Sequence, residues 1–167
     1  MKVYRHLTAV GCLFVLPVLL AGIIVGEDFN KIKNDVCSAA NPASTCAATN
    51  TCGSASSPCT IDIRRSQGTY ATATPSIPGA KSNKPFCIKV GTVVTFSTRS
   101  KNTGFVIDFD KANPFDHQGA IIGGAERPVT VTAMHPGCYS YSVGACIPGT
   151  VNGMCGNAET QLIISVN

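Results

Sequence analysis

Nine cysteines, three histidines and nine acidic residues are the side chains with which this 167-residue sequence could hold a metal or attack a substrate. Cys12 lies inside an uncharged run, Leu7 to Gly26, and reads as a small apolar residue there. Its neighbours Ala9, Val10 and Gly11 only faintly match a lipidation motif, because the apolar core lies after the cysteine instead of before it. The other eight are Cys37, Cys46, Cys52, Cys59, Cys87, Cys138, Cys146 and Cys155. Zinc would require closely spaced pairs, and the sequence has no C-x-x-C; the spacings among the first four match neither a ribbon nor a finger. An even number of cysteines in an exported chain reads as four disulfides, for which about 105 pairings exist. The arrangement expected here keeps Cys37, Cys46, Cys52 and Cys59 paired among themselves and closes the 147–154 loop with Cys146 to Cys155.

The histidines offer less. His117 stands beside Asp116 in a polar stretch not far from Asp108 and Asp110, a grouping that hints at a metal or at calcium. It lacks the glycine turn and closing glutamate of an EF-hand, and a strand edge running into a solvated loop accounts for it equally. His135 precedes a strand whose length of about 20 Å separates it from the 144–154 loop. No catalytic residue is assigned: there is no G-x-S-x-G elbow and no H-E-x-x-H, and no free cysteine is expected beside a histidine. Gly119, Gly123 and Gly124 lack the Gly-Lys-Ser/Thr ending of a phosphate loop. The sequence is not expected to be an enzyme.

Around these residues the chain divides in three. Lys2, Arg5 and His6 precede Leu7 to Gly26, an order that keeps the N-terminus in the cytoplasm and exports the chain beyond residue 26. Twenty apolar residues rise about 30 Å as a helix, enough to span a bilayer, so residues 1–26 are either a cleaved signal peptide or a membrane anchor. The expected location is therefore extracytoplasmic: periplasmic, cell-surface or secreted. Residues 27–58 are rich in Ala, Ser, Thr and Asn and poor in large apolar residues, so only disulfides could hold them as a stapled lead-in. Beyond residue 26 the chain carries 11 basic and 9 acidic residues, scattered singly or in pairs, which excludes a nucleic-acid stripe.

Residues 59–167 carry strand patterns. Thr60 to Arg64 alternates polar and apolar, and Thr69 to Thr74 is β-rich. Phe86 to Val90 and Val93 to Thr98 read as strands broken at Gly91. Phe105, Ile107 and Phe109 alternate with Val106, Asp108 and Asp110. Residues 111–127 read mostly as loop, and strands are expected over Val129 to Thr132, Cys138 to Val143 and Gln161 to Val166. The expected fold is all-β, a sandwich or barrel of about seven or eight strands, with no long helix after Gly26.

Three of these stretches resemble the cupredoxins, the plastocyanin-like Greek-key β-sandwich family. Phe86 to Phe96 is similar to that family's x-V-x-x-G-D-x-V-x-F strand pair, Pro136 to Tyr141 to its P-G-x-Y-x-Y segment, and Gly153-Met154 with the closing strand to its G-M-x-G-x-I-x-V ending. The resemblance implies a cupredoxin-like sandwich over residues 59–167. It also implies where copper ligands would stand, and most are missing. Lys101 to Phe105 holds no histidine, Val143 occupies the cysteine position, and no histidine occurs after Tyr139. Only Met154, at the place of the weak axial ligand, matches.

The expected function is thus an exported, disulfide-stabilised domain without a type 1 copper site and without cofactor, acting as a binding or structural module. A copper electron-transfer protein using His117, His135, Met154 and a free thiol is the alternative, and a surface-assembly subunit a third. No partner is assigned beyond membrane anchoring through residues 7–26.

Overall fold

In the computed structural model, residues 36–54, 56–65, 70–147, 156–157 and 161–167 are described. The described residues are all-β, arranged in two sheets, apart from short 3-10 turns such as Pro42–Thr45 and Ala48–Asn50. The four-stranded sheet contains β1 (Cys59–Arg65), β2 (Ala71–Pro75), β4 (Val93–Ser97) and β7 (Val129–Thr132), in the order β2-β1-β4-β7. The other sheet has the order β3-β10-β8-β5-β6. It is built from β3 (Phe86–Lys89), β5 (Gly104–Phe109), β6 (Ile121–Gly124), β8 (Gly137–Cys146) and β10 (Gln161–Val166), with β9 (Gly156–Asn157) added beside β8. Two neighbouring pairs, β1 with β4 and β10 with β3, run parallel, and the rest antiparallel.

Period-two alternation explains most of these strands. In β1, Ile61 and Ile63 are fully buried while Thr60, Asp62 and Arg64 point the other way, as β-pleat geometry requires. Val94 and Phe96 of β4 join them from the same sheet, and Phe105, Ile107, Tyr141, Val143 and Ile163 close the core from the other. An aromatic series joins the layers. Phe96 meets Phe115 edge-on at 5.7 Å, Phe115 meets Phe109 at 5.8 Å, and Phe109 meets Tyr141 at 5.5 Å. The first two are edge-to-face and the third is tilted, and such ring contacts add to the burial of each ring.

The expected break at Gly91 is a change of sheet: β3 lies in one layer and β4 in the other. Gly91 makes that corner at φ +86, a conformation glycine enters without steric cost.

Three expectations need correction. The first concerns residues 111–127, mostly loop as expected but holding one strand that was not: Ile121–Gly124 forms β6, with Ile121 and Ile122 opposite Ile107 and Val106. Two isoleucines between small residues carry too short a pattern to show a period, and pairing with β5 decides their conformation. The second concerns the strands, which are more numerous and in places longer than expected. β8 continues to Cys146, because Ser142 to Cys146 pairs with β5 along its whole length.

The third concerns the lead-in, whose cysteines do not pair only among themselves. Cys52 bonds Cys59, but Cys37 bonds Cys138 and Cys46 bonds Cys87. The register explains the choice. Ile164 of β10 stands opposite Cys87 on one side and Cys138 on the other, so the three form one row across the outer face of the larger sheet. The lead-in crosses that face, tied at both ends of the row, with Pro42–Thr45 packed over β10 and β8. Ile164 is buried although its strand parity directs it away from the core. The lead-in also satisfies the edge of β3, where the Cys52 amide donates to the Cys87 carbonyl at 2.8 Å.

Candidate functional site

Two of the residues expected to be able to take a metal lie at the start of β8. There, His117 and His135 line one surface depression together with Asp116 and Asn113. The segment carrying His117 is strapped to β7 and the residues after it. The Asp116 amide donates to the Thr132 carbonyl at 3.0 Å, and the Thr132 amide to Asp116 Oδ1 at 2.9 Å. The His135 amide donates to Pro114 O at 3.1 Å, and Asn113 Nδ2 to His117 O at 2.8 Å.

His117 Nε2 lies 3.3 Å from the Ala120 carbonyl, a contact that is a hydrogen bond in the tautomer protonated on Nε2 and that leaves Nδ1 as the lone-pair nitrogen. Asp116 Oδ1 is committed to an amide. Among the described residues no group of three His, Cys, Asp or Glu side chains is arranged to hold a metal ion. Asp108 is exposed, and Asp110 Oδ2 accepts the Ser140 hydroxyl at 2.7 Å, so the acidic run is spread along the end of β5.

At the far end of β8, nine residue steps or about 30 Å away, stands Cys146. It is disulfide-bonded; Cys155, the partner expected for it, and Met154 lie outside the described residues. Val143 points into the core and is 1% exposed, surrounded by hydrocarbon where the resemblance would put a thiolate. Copper of the type 1 kind does not fit these residues: Val143 offers no ligand atom, Cys146 is oxidised, and His117 and His135 sit at the other end of the strand.

Tyr141, also in β8, is fully buried, and desolvation pushes its phenol well above the ordinary value of 10.0. The folded state therefore favours the neutral phenol. Its contribution to stability is complete below pH about 10 and is lost as pH rises above that value. Chemical unfolding between pH 8 and pH 11 is expected to show a steeper alkaline loss for the natural protein than for Tyr141→Phe, about one pKa unit's worth or more at the upper end. Identical slopes would show that the phenol is not held neutral.

The other polar assembly is the outer face of the four-stranded sheet. Register builds it in rows: Thr74 of β2 opposes Asp62 of β1, which opposes Ser97 of β4; Thr60 of β1 opposes Thr95 of β4, which opposes Thr130 of β7. Thr72 opposes Arg64 in the next row. The Thr95 and Thr130 hydroxyls lie 3.1 Å apart, and those of Thr74 and Ser82 2.7 Å apart. Asp62 Oδ2 accepts from Arg64 Nε at 2.8 Å and Nη2 at 2.7 Å, and Arg99 Nε reaches within 3.9 Å of the same oxygen. Asp62 Oδ1 is buried and has no hydrogen-bond partner among the described residues. Sequence reading missed this grouping. Alternation shows which residues of a strand point outward, but not which strands lie beside it.

The fold and its covalent ties define a disulfide-bonded, all-β, two-sheet sandwich, whose disulfides point to an oxidising compartment outside the cytoplasm. No protein-family model and no curated protein matches the sequence. Among solved structures, the chain is similar to a mutant of amicyanin in its oxidised form, at 15% identity over 70% of this chain and 92% of that chain, with a TM-score of 0.35.

Proposed function

We propose that this chain is an exported, disulfide-stabilised, cupredoxin-like domain that holds no type 1 copper and serves as a binding or structural module in the periplasm or at the cell surface. The observation that carries the proposal is the row Cys87, Ile164, Cys138, where two disulfides strap a weakly apolar lead-in across a sheet face. Disulfides that replace missing core are characteristic of exported domains. The cupredoxin-like part rests on the Gly91 corner between sheets, on Pro136-Gly137 leading into β8, and on the closing strand β10. Residues 7–26, as signal or anchor, lie outside the described residues; among the described residues no helix is long and apolar enough to cross a membrane.

Cysteine in this reading is structural and copper has no role. Protein purified from its natural export route is expected to have no reactive thiol in residues 27–167 and to stay colourless when Cu(II) is added. A strong visible thiolate-to-copper band would overturn the proposal in favour of a copper protein with an atypical ligand set.

A further inference from the structure

The outer face of the four-stranded sheet has the composition of a ligand surface. We propose that it binds an acidic polysaccharide, with a uronate carboxylate held by Arg64 and Arg99 and the sugar hydroxyls by Asp62, Thr74 and Ser97. This rests on the reading of the chain as an exported binding module and supplies its ligand class.

Charge is the first argument. Two guanidiniums converge on one carboxylate oxygen, Asp62 Oδ2, which leaves one positive charge in excess on that row. Arg64 and Arg99 are 55% and 82% exposed, so the guanidinium N–H groups that Asp62 does not engage are open to solvent and able to donate to a carboxylate. Asp62 is only 17% exposed, with its Oδ1 buried beneath the surface and partnerless among the described residues. A ligand that engages the guanidiniums can draw them off Asp62, freeing the carboxylate to accept a sugar hydroxyl.

The second argument is what the face lacks. Protein interfaces place an apolar cluster at their centre, whereas here the central rows hold only hydroxyls and charges. A nucleic acid calls for a run of cations, and this face offers two, partly neutralised. Polyols are left, whose hydroxyls donate and accept as threonine and serine do. Spacings of about 4.8 Å between strands and about 6.7 Å along them present those groups as a flat grid. At the rim Tyr70, one step before β2 and directed outward by the strand's alternation, is 61% exposed and gives a flat apolar surface for a sugar ring's C–H face.

Calorimetric titration of the whole exported protein with a galacturonate hexamer in calcium-free buffer tests this. The hexamer is expected to bind, with cellohexaose about ten-fold weaker or worse, and Arg99→Ala to weaken the uronate about ten-fold while leaving the melting temperature unchanged. Ser97→Ala should weaken both sugars. Absence of hexamer binding, undiminished binding by Arg99→Ala, equal binding of dextran sulfate through charge alone, or a dimer that buries this face would each overturn the proposal. A colourless, fully oxidised protein that ignores the hexamer would remove the ligand and leave the module standing; a copper-thiolate band would remove the module itself.

Discussion

Phe96→Ala is expected to cost about 3–5 kcal/mol, the range for deleting a buried phenyl ring, against a total of about 5–15 kcal/mol for a domain. Phe96 is fully buried in β4 and begins the aromatic series that runs through Phe115 to Phe109 and Tyr141. Removing it leaves a cavity between the sheets and takes away the ring against which Phe115 sits. Because Phe115 anchors the segment that carries Asp116 and His117, the loss should spread outward. Amide exchange at Thr132, whose N–H is held by Asp116 Oδ1, should speed up more than exchange at Ile164, in the opposite sheet. Urea titration gives the global loss, and Phe96→Leu, which keeps most of the volume, should recover more than half of it. A loss below about 1 kcal/mol for the alanine variant would mean that the two sheets are not joined through this ring.

The second large effect concerns the strap. Replacing Cys37 and Cys138 together with serine should lower stability by about 2–4 kcal/mol. A closed loop of about 100 residues alone would be worth about 4.7 kcal/mol in the chain-entropy account. The bridge closes a separation of 101 residues, but Cys46–Cys87 already shortens the open chain between its ends, which lowers the figure. The loss has a local signature as well. Freed at that end, the lead-in should uncover Ile164, and protection should fall at Ile164 and over 36–46 before it falls in β1 or β4. An unchanged urea midpoint, or a lead-in that stays protected without the bridge, would mean that packing and not the disulfide holds it.

Several elements are legible in local pattern alone. β1, β4 and β7 alternate, with β-branched or aromatic residues on the buried side, so their conformation and inward face follow from the pattern. Gly91 marks a break, and that break is the passage between sheets. β6 is not legible, since Ile121 and Ile122 become a strand only by pairing with β5. The missing copper set shows as residue types at Val143 and Lys101 to Phe105. That His117 and His135 share a depression does not show, because β6 and β7 intervene in the chain and only folding returns the two histidines to one end of the sandwich.

The cysteines mark the boundary between the two kinds of information. Their even number beyond Cys12, and the small polar residues around the first of them, already call for covalent support in an oxidising compartment. Which cysteine meets which is a matter for the tertiary structure. Cys87 and Cys138 lie far apart in the chain and become near neighbours only because β10 inserts between β3 and β8, placing Ile164 between them. The same holds for the polar face. Alternation turns Asp62, Arg64 and Ser97 outward on their own strands, but the parallel pairing of β1 with β4 sets them side by side. Local periodicity comes from the pleat of a single strand, whereas adjacency across a sheet depends on long-range pairing that no short window of sequence encodes.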